Sequence, residues 1–286
     1  MEITKGQEMW HSKVFRFMNS TVCLVLAFSI LTYTQWFVMA FVGMVYKFDA
    51  LIYYYGIRFI YHEWNKKTVT LIYGSAILYP LLFGLACLYI YDKLRDKKVV
   101  LNLFFLWGFV CGTSVFCAQA ISGALGAGEY NSPFYSNVAV LFAWWHLPHF
   151  ANYVLTLPFL ALLGYFAVNY ARPFIMFSYS YSKVNKVDRR RNYFFETAML
   201  PFFPGAVLCM YISFPWNVWI QGVQLATMFV GLCISWYALF YIEVMKDDVL
   251  RYKSLQQPAY VLGIAMIAFV IYLKYTFGEM HLGLVD

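Results

Sequence analysis

VVLNLFFLWGFVCGTSVFCAQAIS, residues 99–122, contains no charged side chain. As a helix it is about 36 Å long at 1.5 Å per residue, enough to cross a hydrocarbon core of about 30 Å. Six further apolar stretches meet the same requirement: 21–46, 69–92, 149–171, 197–215, 218–245 and 258–277. The fifth span, 197–215, carries Pro201, Pro204 and Gly205 and is expected to be bent or broken. The fold expected from these spans is an all-α polytopic membrane bundle of about seven transmembrane helices, forming one domain over 1–286.

Composition agrees. The chain is 62% hydrophobic and only 12% charged, and its mean hydropathy is +0.61. A soluble domain is about one quarter charged. The net charge of +7 then fits loops that face anionic lipid, and no nucleic-acid partner is expected. The first apolar run is too long for a signal-peptide core and has no small-residue cleavage pattern, so no cleavable leader is expected. Cys23, Cys87, Cys111, Cys117, Cys209 and Cys233 all sit in apolar runs without C-x-x-C spacing, so they read as small hydrophobes.

Basic residues alternate between loops. Lys5, Lys13 and Arg16 precede the first span. Lys93, Arg95, Lys97 and Lys98 occupy the second loop, Arg172 to Arg191 the fourth, and Lys246, Arg251 and Lys253 the sixth. The third loop, the fifth loop and the C-terminal tail have no Lys or Arg. The first loop departs from the pattern with Lys47, Arg58, Lys66 and Lys67. The positive-inside rule then places the N-terminus inside and the C-terminus outside, in a bacterial inner membrane or its equivalent. Three segments are expected at the interfaces: 1–20, 48–67 as a hairpin or short helix, and 133–147, which Pro148 separates from the fourth span.

Four groups of residues are candidates for function. Ser114, Ala118, Ser122 and Gly126 recur every four residues, so they line one helix face where a neighbouring backbone can approach closely, in this chain or in another. Glu129, His146, His149 and Asn152 flank a Gly-rich helix end and are the candidate polar site, with lipid headgroup binding favoured over metal. Lys186, Arg189, Arg190 and Arg191 are expected to meet lipid headgroups. Finally, the polar residues at membrane depth are neutral: Gln35, Gln119, Gln221, Gln224 and Thr227. A proton pump or ion channel would carry ionisable groups there.

Two resemblances were weighed. His62-Glu63-Trp64-Asn65-Lys66 followed by GSAILYPLLFGL (74–85) resembles part of the intramembrane site-2 metalloproteases. However, Lys66 stands where H-E-x-x-H has its second histidine, and a protonated ammonium is no ligand. Lys274 in the last span, with YALFYIEV and QQPAYVLGIAMIAF, resembles the last two helices of the inverted heliorhodopsins. That resemblance implies a retinal Schiff base, but Lys274 is close to the interface and the third span has no carboxylate counter-ion. No cofactor and no metal are therefore expected. The leading expectation is a non-catalytic membrane subunit or scaffold that binds lipid or partner membrane proteins. A transporter of an apolar or lipid-like substrate, with its cavity at LPFFPGA (200–206), comes second. A membrane enzyme built on Glu129, His146 and His149 comes third.

Overall fold

The decisive stretch forms helix α3, Val99–Gly126, and it occupies the middle of the bundle. Trp107, Val110, Cys111 and Thr113 have no solvent exposure, and Phe109 and Trp107 stack edge-on against Tyr170 and Phe174. A helix that is apolar all round belongs inside. The structure is a computed structural model that describes residues 5–53, 56–60, 63–94, 99–126, 132–178, 180–213, 218–243, 260–276 and 280–282.

Around α3 stand α1 (Lys5–Val45), α2 (Lys66–Leu94), α5 (His149–Met176), the continuous run α6 (Val187–Phe194), a π-helical turn (Phe195–Met199) and α7 (Leu200–Ser213), and then α8 (Val218–Ala238). A short α4 (Asn137–Trp144) precedes α5, and α9 (Tyr260–Thr276) closes the set. Six helices are long and apolar enough to cross a membrane: those within Lys13–Val45, Lys66–Leu94, Val99–Gly126, His149–Met176, Val187–Ile212 and Val218–Ala238. The chain is a multi-pass membrane helical bundle.

The seventh expected span is α9, which has 17 residues and rises about 26 Å. It lies beside α1, with Phe269 edge-on to Tyr33. Strand β3 (Met280–Leu282) follows it and pairs antiparallel with β1 (Asp49–Tyr53), which follows α1. The C-terminal ends of α1 and α9 therefore share one end of the bundle. β1 also pairs with β2 (Gly56–Ile60), so the expected interfacial segment 48–67 is a hairpin that gains a third strand from the tail. This end is called the hairpin end below. The opposite end, which carries Lys13, Arg16 and Arg190, is the basic end.

Local chemistry explains the boundaries. α1 stops in a Schellman turn: Phe48 N–H donates to Gly43 O and Lys47 N–H to Met44 O, with Lys47 at φ 61°. α2 starts at a capping box in which Asn65 Oδ1 accepts from Thr68 N–H and Thr68 Oγ1 accepts from Asn65 N–H. Residues 63–65 are therefore coil ahead of the helix, and the near-match to H-E-x-x-H does not have the helical turn that the motif needs. Residues 5–20, expected as a separate interfacial segment, continue α1 without a break, and Arg16, Asn19 and Ser20 are buried. The segment 133–147 is not laid on the outer surface either. α4 buries Val138 to Phe142, because its five consecutive apolar residues have neighbours on both sides, in α2 and α3.

Two prolines in the spans, Pro201 and Pro80, free backbone carbonyls that α1 takes up. Pro201 has no N–H for Thr197 O. The helix absorbs this through a π turn in which Leu200 N–H reaches back to Phe195 O. Ser20 Oγ donates to the freed Thr197 O at 2.5 Å and accepts from Trp107 Nε1 at 2.9 Å. One hydroxyl thus ties α1 to α3 and to the fifth span. The fifth span is therefore continuous, and Gly205 packs against Leu24, so the cavity expected at 200–206 is not found there. In α2, Pro80 likewise leaves Ala76 O without its i+4 partner, and Gln35 Nε2 donates to it at 2.8 Å.

Candidate functional site

That second proline site opens onto a chamber of about 450 Å³ at the hairpin end. Its walls come from six elements. Thr32, Gln35, Trp36 and Met39 come from α1, Tyr73 from α2 and Gln119 from α3. Asn137 and Val140 come from α4, Ile220, Gln221 and Gln224 from α8, and Tyr53 with Gly56 to Phe59 from the hairpin. Gln35 lies about 15 Å below the end of α1, so the chamber reaches from the hairpin to near the bilayer midplane.

Its deep wall is a chain of amides. Asn137 Nδ2 donates to Gln119 Oε1 at 3.5 Å, and Gln119 Nε2 donates to Ala76 O at 3.4 Å, the carbonyl that Gln35 also engages. Gln35, Gln119 and Gln221 are buried. Ser136, just before α4, lines the chamber at 5% exposure, and its hydroxyl has no hydrogen-bond partner among the described residues. An unsatisfied buried hydroxyl costs about 1–3 kcal/mol, and such a group is ordinarily met by an ordered water or a ligand. Arg58, on the exposed strand β2, is the one charged side chain among the described lining residues. A second hollow of about 460 Å³ shares Ile57, Arg58, Phe59, Tyr73, Tyr135 and Val140 with the first and adds Trp64, Val69 and Trp144. The site is thus a hydrogen-bonding recess with a neutral deep wall of amides, joined to an aromatic hollow through shared residues that include Arg58.

Of the residues expected in the outer cluster, Glu129 lies outside the described residues. His146 is the C′ residue of a Schellman turn that ends α4. Its φ is 54°, its N–H donates to Ala143 O, and Leu147 N–H donates to Phe142 O. Histidine is among the side chains enriched in this left-handed region. The imidazoles of His146 and His149 are exposed, whereas Asn152 is buried at 2% exposure. The i+3 spacing therefore does not bring His149 and Asn152 onto a common surface.

Ser114, Ala118, Ser122 and Gly126 are buried within the chain itself. Ser114 approaches the Tyr170 hydroxyl, and Gly126 packs on the backbone of Phe134. The closest helix crossing lies elsewhere, where a Cβ on Gly112 would come within 2.6 Å of Gly84 Cα. In the basic run, Arg190 Nε donates to Leu239 O at 2.8 Å and so caps α8. Arg191 stacks 3.6 Å over the Trp236 ring and 3.9 Å over Phe240. Arg189 donates to Ser182 O, and Lys186 is exposed. Two of the three arginines face the end of α8 within the chain. The cysteines are free thiols, all buried except the half-buried Cys233. The side chain of Lys274 lies outside the described residues.

Four of the five neutral polar residues noted at membrane depth, Gln35, Gln119, Gln221 and Gln224, line the chamber. Ser136, Asn137 and Arg58 carried no signal that distinguished them from loop residues. Comparison of the chain with protein-family models, curated proteins and solved structures finds no match.

Proposed function

We propose that this chain is a membrane-embedded binding protein for a small hydrogen-bonding molecule that reaches the chamber from the hairpin end. The observation that carries the reading is the buried wall of neutral polar side chains, Gln35, Gln119, Gln221 and Ser136, that lines the chamber. Amide groups both donate and accept, so the recess favours a ligand whose deep part is neutral and rich in donors and acceptors. The volume falls in the usual range for small-molecule sites, about 300–1,000 Å³. Gln35, Gln119 and Asn137 already bond within the chain, and a bound molecule would meet the donors and acceptors that these bonds leave over.

This reading differs from the expected non-catalytic subunit or scaffold for lipid or partner membrane proteins in taking a small hydrogen-bonding molecule as the ligand. Membership of a larger membrane assembly belongs to the same proposal, as does placement in an inner membrane. Its room is the apolar outer surface, where Leu78, Leu82 and Leu85 of α2 and Leu157, Leu160 and Tyr165 of α5 are exposed to lipid or to a neighbour.

The test is small-molecule mass spectrometry of protein purified in mild detergent and then denatured. A compound released from the native chain, and absent from folded Gln119→Leu and Ser136→Val variants, is the expected result. Release of the same compounds from all three proteins, or of none from the native chain, overturns the reading.

A further inference from the structure

At the basic end, a separate hollow of about 340 Å³ lies between α1 and α6. Lys13, Arg16, Lys183 and Arg189 line it together with Glu196, Tyr193, Ser182 and Asn192, so that four cations and one carboxylate face it among the described residues. We infer that this hollow binds a phosphate group, with an anionic lipid headgroup as its source.

Three features carry the inference. First, the hollow is built rather than superficial. Arg16 is 3% exposed, held over the Tyr193 ring at 4.9 Å and 3.4 Å from Glu196 Oε2. A charge buried this far in a membrane protein needs compensation. Glu196 is one compensating group, and Lys13 shares it at 2.6 Å. Second, Arg189 is already oriented by its bond to Ser182 O, and a guanidinium fork suits phosphate oxygens. Third, the wall that carries Glu196 continues down the fifth span as an exposed apolar stripe, Leu200, Phe203 and Val207. Acyl chains of a lipid whose phosphate sits in the hollow would lie along that stripe. Free inorganic phosphate offers the same oxygens but would leave the stripe unused.

The experiment uses the full chain in nanodiscs of phosphatidylcholine, with dioleoyl phosphatidic acid added at increasing fractions. Binding is read by thermal shift and by native mass spectrometry of retained lipid. The Lys183→Gln/Arg189→Gln double variant should bind phosphatidic acid roughly thirtyfold more weakly, since each cation near an anionic surface contributes about a fivefold factor. Lys186→Gln, which removes an exposed charge outside the hollow, should bind within about twofold of the native chain, less than the fivefold expected of a diffuse surface charge. Glu196→Gln, which releases Lys13 and Arg16 toward the ligand, should bind more tightly by about fivefold. The free-ion arm adds sodium phosphate against sodium chloride of equal ionic strength. Stabilisation by phosphate alone that matches phosphatidic acid would assign the hollow to a soluble phosphate and overturn the lipid source. Equal losses per charge at Lys186 and in the hollow, or no preference for phosphatidic acid over phosphatidylcholine, would overturn the site.

Discussion

Both halves of this bundle contain a membrane-depth proline, a freed carbonyl and a polar side chain of α1 that reaches it, yet around that carbonyl one half is packed solid and the other is hollow. In the basic half, Ser20 meets Thr197 O and is itself met by Trp107, whose large ring fills the space. In the hairpin half, Gln35 meets Ala76 O, and the neighbours are further amides around a chamber of about 450 Å³. The same backbone problem is solved once with a small hydroxyl under an aromatic ring and once with long amides. A short side chain lets helices close, and a long one holds them apart. The Ser20 contact in the basic half is accordingly read as a structural anchor, and the Gln35 contact in the hairpin half as part of a binding chamber.

The largest effect should come where neither half can yield. A Gly112→Leu substitution places side-chain atoms against Pro80 O and the Gly84 backbone, contacts already at 2.5–2.6 Å for a Cβ. Loss of the monodisperse peak on size exclusion in detergent is expected, because backbone cannot rotate away as a side chain can. Gly164→Leu, with nothing within 4 Å of its Cβ, should elute like the native chain. A normal Gly112→Leu profile would mean the two halves are not clamped at this crossing.

Next comes the contrast itself. Ser20→Ala removes an acceptor and a donor at once and should cost about 1–2 kcal/mol at typical interhelical bond strengths, since it leaves buried Trp107 Nε1 unpaired. Gln35→Leu leaves Gln119 on Ala76 O and should cost about 0.6 kcal/mol or less, while changing what the chamber retains. Thermal melts of the two variants, paired with small-molecule retention, measure this. A greater stability loss for Gln35→Leu than for Ser20→Ala would reverse the assignment of anchor and chamber contact.

Accessibility sharpens it further. In intact cells, an impermeant maleimide should label a Gln224→Cys variant and should not label Lys186→Cys, which lies at the basic end. Labelling of both would refute opposite exposure of the two ends. The smallest effect is expected at Lys13→Gln. Its ion pair with Glu196 has a side chain 48% exposed, and such pairs contribute about 0–1 kcal/mol. A melting shift larger than that of Ser20→Ala would show the hollow at the basic end to be structural.

How much of this was readable beforehand depended on the range of the interaction. The spans were legible because hydropathy is summed along the chain, whereas 48–67 read equally as a hairpin or a short helix, since its mixture of aromatics and charge has no clear period, and strand pairing decided for the hairpin. His146 and His149 drew attention because their residue types suit ligation, but the backbone turn that ends α4 uses the first and leaves both imidazoles exposed. The basic run 186–191 looked like one surface. A helical twist instead sends Arg190 and Arg191 to the end of α8 and leaves Arg189 facing Ser182.

The sequence by itself determined that this is a multi-pass membrane helical bundle, with few charges in its spans and basic residues concentrated between them, because a bilayer enforces those properties on each segment separately. It also marked Gln35, Gln119, Gln221 and Gln224 as polar residues at membrane depth. Only the tertiary structure decided that these four converge, that Ser136 joins them, and that Lys13 and Arg16 meet Glu196 across about 180 residues of chain. Such convergence depends on which helix faces which, and in a membrane that choice is made by packing and hydrogen bonding between helices rather than by the hydrophobic pattern within any one of them.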